Sequence, residues 1–269
     1  MCLELFEPCT KITKYQYIKC KSMATKQSFK LHSNGNFSAY LKRFSTIEKT
    51  LLAEIKGDSI VGKTHTPDKS VVKISAIKLT EIFDNITPDQ VITDTKIGIF
   101  GVDNVIQTFK HIGDKDVNVD LLSEKVGQDE AATELKVYNK NLRFSFPGAS
   151  PSLFKYIDAG LAVKIMDTST KIEEFRVEKD MLNKIGSLCS IDSDNDMLTF
   201  SSTNGKIVIA GKTFEQELDI TSTQDFSISI YKTHFGFVDK EDTEIAILES
   251  KIIFKSLESN TQIAIGKVD

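Results

Sequence analysis

No apolar run in the 269 residues approaches the roughly 20 needed to span a bilayer. The first 22 residues also lack the apolar h-region of a secretory leader, so an intracellular protein is expected. Cysteine is scarce. Cys2, Cys9, Cys20 and Cys189 fall at spacings that match no zinc pattern, and a disulfide framework is not expected inside a cell. His32, His65, His111 and His234 have no ligand-like spacing, and no Cys/His or Ser/His/Asp arrangement stands out. Neither a metal, a cofactor nor a catalytic centre is therefore expected. Positive charge is in deficit as well: the formal net charge is −4, on average a poor surface for nucleic acid.

What remains is the composition of a globular protein, 40% hydrophobic and 27% charged, long enough for one large domain or two ordinary ones. Regular strand and turn patterning begins near Met23. Residues 1–22 read as an extension outside the folded core, disordered or belonging to an over-long reading frame.

Residues 57–64, GDSIVGKT, fit the phosphate-loop pattern G-x-x-x-x-G-K-[ST]. Such a loop must open a helix, whose free N–H groups hold the phosphates. Here Pro67 and Asp68 follow as a turn, and Val72, Ile74 and Ala76 then alternate with polar residues as a strand does. The expected structure is a β-hairpin turning at Lys56-Gly57-Asp58, with Lys63 on the surface. A nucleotide-binding protein built on residues 57–64 is the alternative. A second motif, DSDND at 192–196, resembles the start of a calcium loop. Met197 stands where that loop needs Gly and Thr203 where it needs Glu, so an acidic turn is expected.

One unit recurs four times: a strand, a short amphipathic helix, then strands joined by tight turns. Its copies begin at QSFKLHS, KIGIFG, EEFRV and DFSISI. The helices are recognised by apolar spacing of three and four. Phe37, Tyr40, Leu41, Phe44 and Ile47 make the first stripe, with Asn34 or Asn36 as its cap. Val102, Val105, Ile106, Phe109 and Ile112 make the second, and Met181, Leu182, Ile185, Leu188 and Cys189 the third. Tyr231, His234, Phe235 and Val238 make a shorter fourth. Asn204-Gly205 between alternating runs marks a hairpin. Residues 147–171, with two prolines and mixed patterning, read as a linker. The expected α+β architecture is two similar domains, 23–146 and 172–269, each with two helices packed on antiparallel sheet.

Charge divides unevenly over this plan. The helical windows 36–49, 102–112, 179–190 and 231–238 hold seven basic residues: Lys42, Arg43, Lys49, Lys110, Lys179, Lys184 and Lys232. Against them stand three acidic ones, Glu48, Asp103 and Asp180. The helices are thus +4 in a chain of −4, which leaves −8 for everything else. A helix layer of opposite sign to the body would attract a phosphate backbone without reading its sequence. His111 with Gln107 is a candidate for the same face, the alternative being a plain surface histidine.

The stretch AYLKRFSTI at 39–47 is similar to the first helix of the sliding clamps of T-even-type bacteriophages. FRVEKDMLNKIGSLCSIDSDNDMLTFSSTNGKIVIAG resembles the first helix and hairpin of those clamps' second domain. The wider family includes bacterial clamps and the proliferating cell nuclear antigen. The resemblance implies a DNA-clamp fold that closes as a homotrimer ring around duplex DNA, with helices lining the hole. It implies a non-catalytic processivity factor in the cytoplasm of a bacterial host, tethering a DNA polymerase and placed on DNA by a clamp-loader ATPase. A role in late transcription is an extension of the same resemblance. Lys42 matches the family's helix lysine directly; the other basic residues match by helix position. Partner peptides of the family insert beneath the interdomain linker, where Leu153, Phe154, Tyr156, Leu161 and Val163 lie here. A structural β-rich virion protein is the remaining rival.

Overall fold

The computed structural model describes residues 24–84, 86, 92–113, 115–157, 159–192 and 196–268. Residues 1–22, with Cys2, Cys9 and Cys20, lie outside them, as does the middle of the 192–196 run.

The fourfold unit is present, and each copy has three strands after its helix. The first runs β1 (Thr25–Lys30), α1 (Asn34–Ser45), β2 (Thr50–Lys56), β3 (Ser59–His65) and β4 (Val71–Lys78). After a single helical turn, α2 (Leu79–Ile82), come β5 (Thr95–Phe100), α3 (Val102–Ile112), β6 (Asn118–Val126), β7 (Asp129–Tyr138) and β8 (Arg143–Pro147). The stretch read as a linker holds a 3-10 segment, Pro151–Ile157, and a short helix, α4 (Ala159–Ile165). The second half repeats the plan with β9 (Glu173–Val177), α5 (Lys179–Ile191), β10 (Met197–Thr203), β11 (Lys206–Ala210) and β12 (Glu215–Thr221). It ends with β13 (Phe226–Tyr231), α6 (Lys232–Phe235), β14 (Thr243–Ile247), β15 (Lys251–Ser256) and β16 (Thr261–Gly266).

Twelve strands make one sheet in the order β1-β6-β7-β5-β2-β3-β4-β16-β15-β14-β9, with β8 branching off to pair with Glu134–Tyr138 of β7. The halves join where β4 pairs antiparallel with β16, Val71 opposite Ile265 and Ser75 opposite Thr261. A second sheet, β12-β11-β10-β13, belongs to the second half alone.

The first two helices bury the stripes their spacing demanded; α5 buries only part of its stripe, with Met181, Leu188 and Cys189 half-buried, and in the fourth Tyr231 is exposed and His234 half-buried. Phe37, Tyr40, Leu41 and Phe44 of α1 are buried, as are Val102, Val105, Ile106, Phe109 and Ile112 of α3, in one apolar cluster with the strands of the first half. Leu182 and Ile185 of α5 and Phe235 of α6 enter a second cluster, built mainly from the second half but reached by Ile47 and Val71 of the first, and Met181 and Cys189 pack at its margin. Each large side chain removed from water contributes on the order of 2 kcal/mol. These contributions, more than intrinsic propensity, hold such short helices.

Three local expectations need correction. The cap of α1 is Ser33, whose Oγ accepts the N–H of Gly35. Asn34 is buried instead and donates to the Gly113 carbonyl, while Asn36 donates to that of Glu81. The fourth helix is one α-turn, Lys232–Phe235, not an α-helix to 238: beyond it the chain tightens to i→i+3 bonds, Phe237 N–H to the His234 carbonyl and Val238 N–H to that of Phe235. Lys63 is not a surface residue: its side chain is 6% exposed and its Nζ lies 2.9 Å from Glu54 Oε2 on the paired strand.

The GDSIVGKT match dissolves into four unrelated structural tasks. Gly57 holds φ +59° in the β2–β3 turn. Gly62 lies under α1, where an added Cβ would stand 2.4 Å from Phe44 Cζ. Lys63 neutralises Glu54, and Thr64 donates to the Thr50 carbonyl at 2.8 Å. Strand β4 follows Thr64 where a phosphate loop needs a helix.

Candidate nucleic-acid interface

The seven basic residues of the helices separate into two groups. Lys42 and Lys49 are exposed at α1 and just beyond it, Lys110 on α3, and Lys179 and Lys184 on α5. None of these five forms an ion pair among the described residues. Their charge is therefore offered to solvent. Gln107 and His111 are exposed on α3 beside Lys110.

Arg43 and Lys232 behave differently. One residue beyond Lys42, a helix has turned by 100°, which carries Arg43 from the solvent face to the seam between the halves. Its guanidinium donates to Ser75 Oγ at 3.1 Å and to the Ser259 carbonyl at 3.0 Å, joining β4 to the β15–β16 turn. Lys232 opens α6 and reaches back to the end of α5, donating to the Asp192 carbonyl and standing 3.3 Å from Asp192 Oδ2. Asp192 is wholly buried. Burial opposes its charge, but the N–H of Lys212, the hydroxyl of Thr213 and Lys232 outweigh it and hold the carboxyl below the usual range. Both cations are spent inside the molecule, so the set facing solvent is five.

The spacing of charges along a helix identified exposed lysines correctly. It could not separate out Arg43 or Lys232, whose partners are 216 and 40 residues away. A further half-buried cation, Lys240, stands beside α6 with its Nζ 3.8 Å from the centre of the Phe235 ring. In sequence it sits among acidic residues and gives no sign of facing a helix.

The fourfold plan also appears in solved structures. The DNA polymerase III subunit beta from Borrelia burgdorferi, in complex with a natural product, matches with a TM-score of 0.66 at 13% identity, over 90% of this chain and 65% of its own. The DnaN sliding clamp from Pseudomonas aeruginosa, bound to griselimycin, gives 0.64 at 11% identity, over 91% and 65%. The Proliferating Cellular Nuclear Antigen from Entamoeba histolytica gives 0.63 at 13%, over 90% of this chain and 98% of that one. This chain has the sliding-clamp fold. It spans about 65% of the length of the bacterial clamps it matches, and nearly the whole of the nuclear antigen. No family model and no curated sequence matches it.

On this clamp fold the linker residues also separate. Phe154 is buried against Leu52, Val72, Ala149 and Ile157, and stacks on Phe100 with ring centres 5.9 Å apart. Tyr156 is half-buried, edge-on to His65 and beneath the Lys69 ammonium. These two fasten the linker to the sheet. Leu153, at 65% exposure, Val163, at 73%, and Leu161 stay open, and Phe100 is an exposed aromatic that strand alternation did not reveal as a surface residue. Beside Val163 a groove of about 610 Å³ runs between α4 and the sheet, walled by Val61, Ile74, Met166, Lys56 and Gln262. No metal-binding group of His, Cys, Asp or Glu occurs among the described residues, and no described helix is long and apolar enough to cross a membrane.

Proposed function

We propose that this protein is a non-catalytic sliding clamp that encircles duplex DNA and tethers a replicative DNA polymerase. The observation that carries the reading is the likeness to clamps over nine-tenths of the chain, together with five exposed lysines without ion pairs among the described residues, four on the helices and Lys49 just beyond α1. A clamp must hold DNA and still slide. Enclosure supplies retention, so contacts should be few, cationic and indifferent to sequence. Lys42, Lys49, Lys110, Lys179 and Lys184 meet that requirement without the stacked aromatics of single-strand binders.

Two domains per chain, 23–146 and 172–269, are supported by two main buried clusters, the second of which takes only Ile47 and Val71 from the first half, and a ring then needs further copies. Head-to-tail closure joins unlike edges. Strand β8 and strand β12 each pair on one side only and stay largely exposed. Arg143 with nearby Lys140 faces one margin, and Glu215, Glu217 and Asp219 lie on the other. We assign these edges to the contact between copies of a homotrimer. The groove beside α4, with Leu153, Leu161 and Val163, is the reading for partner peptides of the polymerase and of a clamp-loader ATPase. A phage origin, a bacterial cytoplasm as the site of action and a role in late transcription accompany the resemblance as finer expectations.

The test is mass and topology together. A trimer of about 90 kDa, three times 30.0 kDa, that is annular in projection and stays on circular DNA after loading but runs off the linearised form supports the reading. A monomer that binds both forms equally, or neither, overturns it; assembly into a shell without DNA linkage would favour a virion component.

A further inference from the structure

Between α5 and α6 lies a cleft of about 540 Å³, open to solvent and lined by Asn183, Ser187, Cys189, Thr233 and Lys240. It exists because α6 is a single turn and cannot cover the whole of α5. Lys240 crosses this gap. Its stem lies against α5 at Gly186, where a Cβ would meet the lysine Cε at 3.5 Å, an ordinary contact distance. The ammonium has no carboxylate partner among the described residues. It makes one long contact, 3.4 Å, to the Phe235 carbonyl and otherwise faces the Phe235 ring. Burial pushes its pKa down to about 8, with Cys189 and Asp239 opposing the shift and Lys73 assisting it. The ring face favours the cation and offsets part of that cost.

An amine without an ion-pair partner, at the wall of an open cleft, has the attributes of a nucleophile rather than of a structural or phosphate-binding charge. We infer that Lys240 is the preferred site of lysine acylation in this protein, reacting with small activated acyl donors of the acyl-phosphate class that enter the α5–α6 cleft. The neutral Nζ attacks the carbonyl carbon. A C–N bond forms, the C–O bond to phosphate breaks, phosphate leaves with the bonding electrons, and the nitrogen gives its proton to water. The product is an uncharged amide, one positive charge fewer beside α6. The inference stands apart from the reading as a DNA clamp.

The test uses the full chain, limiting acetyl phosphate, and peptide mapping by mass spectrometry over pH 6.5–10. The expected result is labelling of Lys240 about tenfold faster than of exposed Lys42 and Lys179 at pH 7.5, with its rate levelling off near pH 8, where an ordinary lysine still gains reactivity towards about pH 10. Lys240→Arg should abolish the fast phase, and Cys189→Ser should leave it intact. Labelling of Lys240 no faster than Lys42, or a rate that climbs without a plateau, overturns the inference. So does loss of the fast phase in Cys189→Ser, which would make the thiol the primary nucleophile.

Discussion

The Lys73 ammonium, on a side chain 1% exposed, lies 2.7 Å from Asp239 Oδ1 and bridges β4 of the first half to the segment after α6 in the second. It also donates to the Phe237 carbonyl at 3.1 Å. Burial depresses the lysine's pKa and Asp239 opposes that shift, so the cation depends on its partner. Asp239→Ala strands a buried charge and is expected to cost about 3 kcal/mol in urea denaturation. Lys73→Met combined with Asp239→Ala removes both charges and should recover most of the loss. A double variant no more stable than the single one would show that the pair is not what Asp239 supports.

Acidification should loosen the same seam. His234 of α6 has its Nε2 3.4 Å from Ser70 Oγ of the first half, and its Nδ1 is buried without a partner. Burial lowers its pKa below 6.5, with Asp68 partly opposing. The unfolded chain therefore takes up the proton first. This contribution is complete above the unfolded value and is lost as pH falls below about 6.5. Asp68 adds a second window: hydroxyls of Thr66 and Ser70 hold its carboxyl at about 2, so its contribution fades only as pH drops through the ordinary carboxylate range. In a series of melts, His234→Gln should flatten the slope of stability between pH 7 and 5.5 and leave the decline below pH 4 in place. An unchanged upper slope would remove His234 from the account.

Gly62→Ala tests why the phosphate-loop letters occur. The strand conformation admits alanine, but the new methyl would meet Phe44 at 2.4 Å and the Tyr40 hydroxyl at 2.8 Å. Tyr40 is pinned there between the carbonyls of Ile60 and Ser75, so it yields poorly. A loss of about 2 kcal/mol is expected from overpacking. A neutral result would show that α1 rides more freely on β3 than its contacts indicate.

Lys63→Met asks the chemical question about the same stretch. With Glu54 18% exposed, loss of the pair should cost about 1–2 kcal/mol, less than a fully buried pair would. Calorimetric titration with ATP should show no saturable binding before or after the change. Saturable binding that disappears in the variant would restore the nucleotide reading.

Local periodicity carried most of this fold. The stripes of α1 and α3 and the Asn204-Gly205 turn, with φ of +54° and +80°, are read from residues a few positions apart. What escaped is long-range. The burial of Lys63 depends on a cross-strand acid, Ser33 caps α1 while Asn34 reaches the Gly113 carbonyl across 79 residues, and α6 gives way after Phe235 to i→i+3 turns that run to Val238. The candidate DNA face divided for the same reason. Lys42 and Arg43 are neighbours in sequence, yet only the structure shows that Arg43 is claimed by Ser75 and Ser259.

That division yields the sharpest prediction about DNA. Lys42→Ala with Lys179→Ala removes two free cations and no internal bond. Affinity for a short duplex should fall, the slope of log affinity against log salt should shrink by about 1.8 if both touch phosphates, and the melting temperature should hold. Arg43→Ala with Lys232→Ala removes two cations already engaged, one of them by the buried Asp192 carboxylate. This pair should cost stability on the order of 3 kcal/mol and leave the salt slope unchanged. If the two double variants exchanged their behaviours, the helix layer would be binding DNA through its seam and not through its exposed lysines.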